Sequence, residues 1–419
     1  MQDFFKKFAC LACSVFLLCP PWNTAEAGGF FVRQNSTSAQ SSAFAGASAR
    51  GADPSHLFFN GATIADNPGS AGTVDARLYL PDVEIEADTA TSPLMMNILN
   101  RGNSGSMADP ALAAGLYGSR QISNNLYAGI GISAPFAVVI ETDDTWSGQF
   151  QLLKTEMTAL NVNPVLAYRI RSGIVVSGGL QIQHFDADLR KTELLPLGGP
   201  FFAEAEGFLK GDDTALGFTA GLLLKPADTV RFGLGYRSEI KHELNGTAGV
   251  KFQGIPVDTA SFDVKTPQAV TAGMEIALND RVALLGEVQW VDWSVFTGFD
   301  IGFGSGRPNE VRPQTWQDTW FYSIGARVKL NDHTDVSFGL SMDDGISTSS
   351  ANTLSPDGDR KGIAFGLTRR ISDTAEFRAS YMHLFFDDAD IDIANQSGTL
   401  KATFENDLDI VGFSFTIRR

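Results

Sequence analysis

Side chains able to make or break bonds are sparse in this sequence. Five histidines (His56, His184, His242, His333 and His383) are scattered without ligand spacing, so they outline no metal motif. Gly302-x-Gly304-x-Gly306 spaces its glycines like a phosphate loop, but no helical pattern follows to supply the anion-binding terminus. Asp387, Asp388, Asp390 and Asp392 have the oxygen density of a calcium loop, yet the turn glycine and terminal Glu are missing. That run reads as a solvated or lipopolysaccharide-facing loop. No nucleophile stands paired with a base, so no catalytic residue is nominated, and neither an enzyme activity nor a cofactor is expected. What remains is the chemistry of noncovalent binding.

The residues suited to that chemistry are apolar. Leu94, Met95 and Met96 form one cluster; Leu194, Leu195, Phe201, Phe202 and Phe208 form another, within an otherwise acidic stretch. Apolar groups exposed on loops are costly unless they bind something or pack together. Together they read as an outer groove for a hydrophobic molecule, each buried methylene contributing about 0.8 kcal/mol. A cationic partner for an acidic head group is harder to find. The segment 174–190 offers only His184 and Arg190 among acids, which leaves a neutral hydrocarbon equally open as the ligand.

Composition narrows the frame that must hold these groups. The 419 residues carry 32 Lys and Arg against 48 Asp and Glu, a formal charge of -16, which repels nucleic-acid phosphates. Past the N-terminus no run of 18 apolar residues exists, so a helical membrane protein is excluded. Residues 1–27 have the form of a secretory signal. Lys6 and Lys7 precede a twelve-residue apolar stretch, prolines 20 and 21 break it, and Ala25-Glu26-Ala27 offers a cleavage site. All three cysteines (Cys10, Cys13 and Cys19) lie in that segment, so the mature chain is expected to carry no thiol or disulfide.

From Thr73 onward the pattern alternates with period two. Phe232, Leu234 and Tyr236 alternate with Gly233 and Gly235; Val336, Phe338, Leu340 and Met342 alternate with Ser337, Gly339 and Ser341. Five junctions are short and built from turn residues, as in Leu278-Asn279-Asp280-Arg281 and Leu330-Asn331-Asp332-His333. Between them run long acidic segments, at 186–213, 243–265, 303–317, 343–361 and 387–406, read as irregular loops. Short turns on one side and long loops on the other are the habit of outer-membrane barrels. The count is fourteen strands, near 74–87, 110–121, 125–141, 154–170, 173–190, 213–225, 228–244, 264–279, 281–301, 314–330, 333–343, 361–371, 375–392 and 406–418. The expected fold is therefore all-β, a 14-stranded antiparallel transmembrane β-barrel at 73–419. Trp146, Trp290, Trp293, Trp316 and Trp320 fall near strand ends and are expected in an interfacial girdle.

Residues 28–72 differ. The stretch 36–52 is almost wholly Ser, Ala, Gly and Thr, small enough to pack closely against walls. A fourteen-stranded lumen is too wide for its own side chains to fill. The segment is expected to be an N-terminal plug, or hatch, inside the lumen, with a short helix and a turn at Asn60-Gly61.

These residues resemble the FadL/TodX-type outer-membrane transporters of long-chain fatty acids and hydrocarbons. The resemblance rests on Ala45-Gly46-Ala47, on Asp53-Pro54-Ser55, and on Phe58-Phe59-Asn60-Gly61-Ala62, where the family usually has Asn-Pro-Ala. It continues through Leu160-Asn161-Val162-Asn163-Pro164, Gly235-Tyr236-Arg237-Ser238-Glu239-Ile240, Val291-Asp292-Trp293-Ser294 and Pro356-Asp357-Gly358-Asp359-Arg360. It implies a monomer in the outer membrane of a Gram-negative bacterium, among lipid and lipopolysaccharide. Its partner would be a hydrophobic small molecule, captured outside, held in an apolar pocket and released by a hatch rearrangement. Exit would be sideways at the third strand, where Gly129, Gly131 and Pro135 weaken the ladder. A general diffusion porin and a structural or adhesive surface barrel are the other readings. The chain departs from commonly seen barrel endings in closing on Arg418-Arg419 rather than on an aromatic residue.

Overall fold

The computed structural model describes residues 29–198, 200–347, 353–355 and 357–419. The proposed leader at 1–27, Gly28 and Pro356 lie outside them. Fourteen antiparallel wall strands close on themselves. They are β1 (Ser70–Thr91), β2 (Ala111–Gln121), β3 (Leu126–Glu141), β4 (Lys154–Arg171), β5 (Ile174–Gly198) and β6 (Phe201–Ala227). Next come β7 (Val230–Arg237 and Ile240–Val250), β8 (Asp258–Thr266 and Ala269–Ala277), β9 (Val282–Val291 and Gly298–Phe303) and β10 (Glu310–Pro313 and Thr319–Asn331). β11 (Thr334–Asp343), β12 (Arg360–Arg370), β13 (Ala375–Phe386 and Ala389–Asn395) and β14 (Gly398–Arg418) complete the wall. β14 pairs with β1 from Ala71↔Arg418 to Thr91↔Thr399, which closes the wall into a ring.

Alternation positions the two faces. On β11, Phe338, Leu340 and Met342 are exposed on the outside, while Ser337, Gly339 and Ser341 face in. The small inward residues have a steric cause. A Cβ on Gly339 would sit 2.1 Å from the carbonyl oxygen of Ser42, and one on Gly235 would sit 1.8 Å from that of Phe59. Residues 29–69 therefore lie against the inner wall, in backbone-to-backbone contact that only glycine permits. Within them run a one-turn helix, α1 (Thr37–Gln40), and two 3-10 turns, Pro54–Phe58 and Gly61–Asp66. The wall begins at Ser70, slightly earlier than expected.

Several expectations need correction. The acidic segments at 186–213, 243–265 and 387–406 are largely paired strand, not irregular loop. β5 and β6 stay in register from Ile174↔Leu224 to Pro196↔Phe202 and project as one long hairpin. The tryptophans do not form a girdle. Trp146, Trp293 and Trp316 are buried, and of the five only Trp320 is strongly exposed, with Trp290 beside it on the neighbouring strand. The cause lies at the break in β9, where the 3-10 turn Trp293–Val295 drops Trp293 and Phe296 into the interior. β7, β8 and β10 break nearby, beside residues such as Pro267 and Pro313 that cannot donate to a ladder.

Candidate functional site: an aromatic cage beside a gap in the wall

The site is built where β2 and β3 part. β2 pairs with β3 only from Leu116↔Ile132 to Gln121↔Tyr127. Above that point, β2 residues 111–115 bond to β1 alone. β3 departs because it carries an extra residue against β4, its register shifting between Ser133↔Asn161 and Phe136↔Ala159. Pro135 sits in that bulge, where its missing N–H does no harm. Residues 133–140 of β3 are buried throughout, as expected of a strand turned inward from the wall.

The gap is framed above by the loop after β1. Met107 N–H donates to Val83 O at 2.9 Å, and Glu141 N–H donates to Met107 O at 2.8 Å. On the inside the chain's own N-terminal residues cover it. Val32 N–H donates to Pro135 O and Ala137 N–H donates to Phe30 O, both at 2.8 Å, so 30–32 act as an added strand. Of the three residues expected to open the wall, only Pro135 lies at the break. Gly129 and Gly131 are paired on both sides, to Ser119 and Val165 and to Tyr117 and Asn163. Their missing Cβ atoms instead admit Ile64 and Leu57 of the N-terminal segment.

Behind the gap lies an aromatic cage. The Phe30 ring is at its centre, 4.9 Å from Trp293, 5.8 Å from Phe136, 5.9 Å from Phe296 and Trp316, and 6.1 Å from Phe185. Gly29 has φ +63°, and a Cβ there would meet the Trp293 ring at 2.4 Å, so the approach demands glycine. The indole N–H groups of Trp293 and Trp316 are buried without an acceptor among the described residues. One rim of the cage is charged. Arg33 donates to Asp343 at 2.8 Å and to Gln289 at 3.0 Å, its guanidinium 3.9 Å above the Phe321 ring. Arg360 bonds the same Asp343 carboxylate, through Nε at 2.8 Å. These three charges stand on residues 33, 343 and 360, too far apart in the chain for any motif to join them.

The segment containing the hatch signature is anchored below. Asp53 caps Pro54–Phe58, accepting from Ser55 N–H at 2.8 Å, and its other oxygen accepts from Arg378 at 2.5 Å. Ser55 Oγ meets Ser36 Oγ at 2.6 Å. Asn60 caps Gly61–Asp66, and its amide donates to Ser48 O at 2.8 Å and to Leu222 O on β6 at 3.0 Å. A Cβ on Gly61 would lie 2.6 Å from Val165, while Ala62 is fully buried. Phe58 stacks edge-on against Phe59 and lies under the Arg237 guanidinium at 4.7 Å. Burial alone would raise the Asp53 pKa, but Arg378, His56 and the Ser55 bonds outweigh it and hold the carboxyl below its usual range. Burial, then the nearby Arg50, push His56 the other way for a base, down to about 4.

The expected outer-groove residues lie on the projecting hairpins. Phe201 is 69% exposed and Met95 also 69%; Leu94, Met96 and Phe202 are exposed, and Leu194, Leu195 and Phe208 are partly covered. The first loop and the β5–β6 hairpin are tied by Arg101 and Glu204, bidentate at 2.7 and 2.9 Å. The head-group candidates are not in the lumen. His184 and Arg190 share the outward face of β5 with Asp186 and Asp188, pairing with them at 3.1 and 2.6 Å, while Phe185, Ala187 and Leu189 face in.

Comparison with known proteins now decides the class. The family model described as outer membrane protein transport protein (OMPP1/FadL/TodX) matches residues 22–418. The chain belongs to this family. It is an outer-membrane transport protein. A long-chain fatty acid transport protein of Escherichia coli O6:H1 is 26% identical, over 91% of this chain and 92% of its own length. A putative outer membrane protein of Neisseria meningitidis serogroup B is 24% identical over 94% and 95%. Among solved structures, a Pseudomonas aeruginosa FadL homologue superposes with TM-score 0.87 at 20% identity, covering 93% of this chain and all of that one. The Pseudomonas putida toluene transporter TodX gives 0.67 at 14% identity, with 94% and 100% covered. At these identities the structures establish the barrel fold.

Proposed function

We propose that this family member carries hydrophobic molecules, long-chain fatty acids or hydrocarbons, from the outer surface sideways into the membrane. The observation that carries this reading is the coincidence of the wall gap with the aromatic cage. Captured on the apolar hairpin tips, a substrate would enter the cage, where Phe30 occupies the space an alkyl chain or aromatic ring would take. Displacing Phe30 strips its two neighbouring backbone bonds from β3 and uncovers the gap, so entry and release become one exchange. Residues 29–69 serve as the plug, and their lower anchor keeps the lumen shut to water while the upper arm moves. An apolar path avoids rehydrating the substrate, which would cost about 0.8 kcal/mol per methylene. The Arg33–Asp343–Arg360 cluster and the two free indole N–H groups supply polar contacts for a carboxylate head. A diffusion porin is not favoured, because residues 29–69 fill the interior that it would need open.

Deleting Pro135 tests the route. Removal of one residue restores one-to-one pairing of β3 with β4 and straightens the strand. The expected result is loss of oleate and toluene uptake, with the barrel still heat-modifiable on gels; wild-type uptake would overturn the lateral exit. Mass spectrometry of molecules retained by the purified protein would separate a fatty acid from a hydrocarbon.

A further inference from the structure

The short-turn end of the barrel holds a second cavity, chemically the opposite of the cage. It encloses about 500 Å³ beneath residues 38–52 and opens past the turn joining β12 and β13, the periplasmic side of an outer-membrane barrel. Its lining is polar and rich in arginine. Four of the carboxylates there are engaged: Glu275 by Arg327 at 2.7 Å, Asp335 by Arg327 at 3.8 Å, Asp66 by Arg231 at 2.9 Å and by Lys225, and Glu376 by Arg378 and, at 3.5 Å, by Arg418; Asp373, on the turn at the mouth, has no ion pair among the described residues.

Arg50 is different. It is 95% buried, taking its 5% exposure, yet no carboxylate pairs with it among the described residues. Its Nη2 donates to Ser38 O at 3.2 Å and to Ser42 Oγ at 3.1 Å, and its Nε has no acceptor. Arg327, lining the same cavity, also has a buried Nε without an acceptor. Glu275 and Asp53 act on this buried guanidinium only from a distance, without a direct ion pair, and its planar fork matches two oxygens of one anion. Burial, with Arg327 and Arg378 nearby, outweighs the pull of Glu275 and Asp53 and lowers the Arg50 pKa to about 10.

We propose that this vestibule binds a small oxyanion, a carboxylate or a phosphate, between Arg50 on the N-terminal segment and Arg327 on β10. The bound anion ties the segment to the wall from below and favours the plugged state. Its source is either a free periplasmic anion or the head group of an amphiphile. The site stands apart from the transport route and does not depend on it.

Amide hydrogen exchange on the full chain in detergent tests it, with sodium phosphate or acetate at millimolar concentration against sodium chloride of equal ionic strength. At twice the Kd, exchange across 38–52 should slow about threefold. Arg50→Gln should abolish the response. Should that variant lose packing, Arg370→Gln at the rim should keep the segment ordered and weaken the response. Equal protection by chloride, or wild-type protection in Arg50→Gln and Arg370→Gln, would overturn the site. Decanoate acting far more strongly than acetate assigns the anion to an amphiphile, and equal action assigns it to free solutes; both uphold the site.

Discussion

The lower and upper ends of the N-terminal segment are held by different physics. Below, Asp53, Asn60 and Ser55 fix the segment through caps and a buried ion pair to Arg378. Above, Phe30–Val32 are held by two backbone hydrogen bonds to β3 and by rings. A buried ion pair has no substitute, because removing one partner strands the other charge. An apolar arm can be replaced by anything apolar of similar size. The pairing of a fixed root with an exchangeable tip is what a ligand-opened gate requires.

The comparison breaks most severely at the root. Arg378→Ala should destabilise the lower anchor by about 3–5 kcal/mol, since it leaves Asp53 buried and unpaired. Planar-bilayer conductance, expected to be negligible for the wild type, should then rise; an unchanged closed state would mean that the root is not the anchor. Acid should loosen the same region by a smaller amount. His56, 0% exposed, bonds Ala47 O at 2.8 Å and Ser38 Oγ at 3.1 Å. Its folded pKa of about 4 lies below the ordinary imidazole value of 6.5. The unfolded segment therefore takes the proton first, and stability present above about 6.5 declines as pH falls toward 4, by about 3 kcal/mol in all. The lowered Asp53 adds a loss of the same sign at still lower pH. Exchange rates across 53–66 at neutral and acid pH measure this, and His56→Asn should flatten the upper part of the profile. The smallest net effect belongs to the tip. Phe30→Ala costs about 3–5 kcal/mol in a closed core, yet detergent or substrate chains can refill the cage. Retained ligand should increase, with net destabilisation below about 1.5 kcal/mol when ligand is present. A full, ligand-independent loss would show that Phe30 is ordinary core.

Much of this architecture is legible in the residue order. Fourteen strands and their tight turns follow from alternation, because a wall with lipid outside and small residues inside must repeat every two positions. The hairpin at 186–213 was obscured by its acids, although Phe185, Ala187 and Leu189 alternate there with Asp186, Asp188 and Arg190. That parity also places Arg190 and His184 outside, a signal the charge count alone conceals. Gly129 and Gly131 read as weak ladder; both are paired on either side, and their missing Cβ atoms leave room for the side chains of Ile64 and Leu57. The Arg33–Asp343–Arg360 cluster and the cage carry no local signature. They arise only when the barrel closes and brings β3, β5, β9, β10, β11 and β12 around residues 29–33.

That closure has a single seam where interior and wall meet. Ser70 and Arg419 exchange hydrogen bonds at 2.8 Å in both directions, so the backbone just past β14 seals the point where the interior segment meets the wall. Gly69, at φ +71°, passes so close to Arg419 O that a Cβ would stand 2.2 Å away. The interior segment and the closing pair of strands, β1 and β14, therefore share one junction. Contacts between that segment and the wall, such as Asp53–Arg378, span most of the chain. Contacts of such sequence separation form slowly. A change that loosens this seam is therefore felt twice, once by the pairing that closes the wall and once by the segment it encloses.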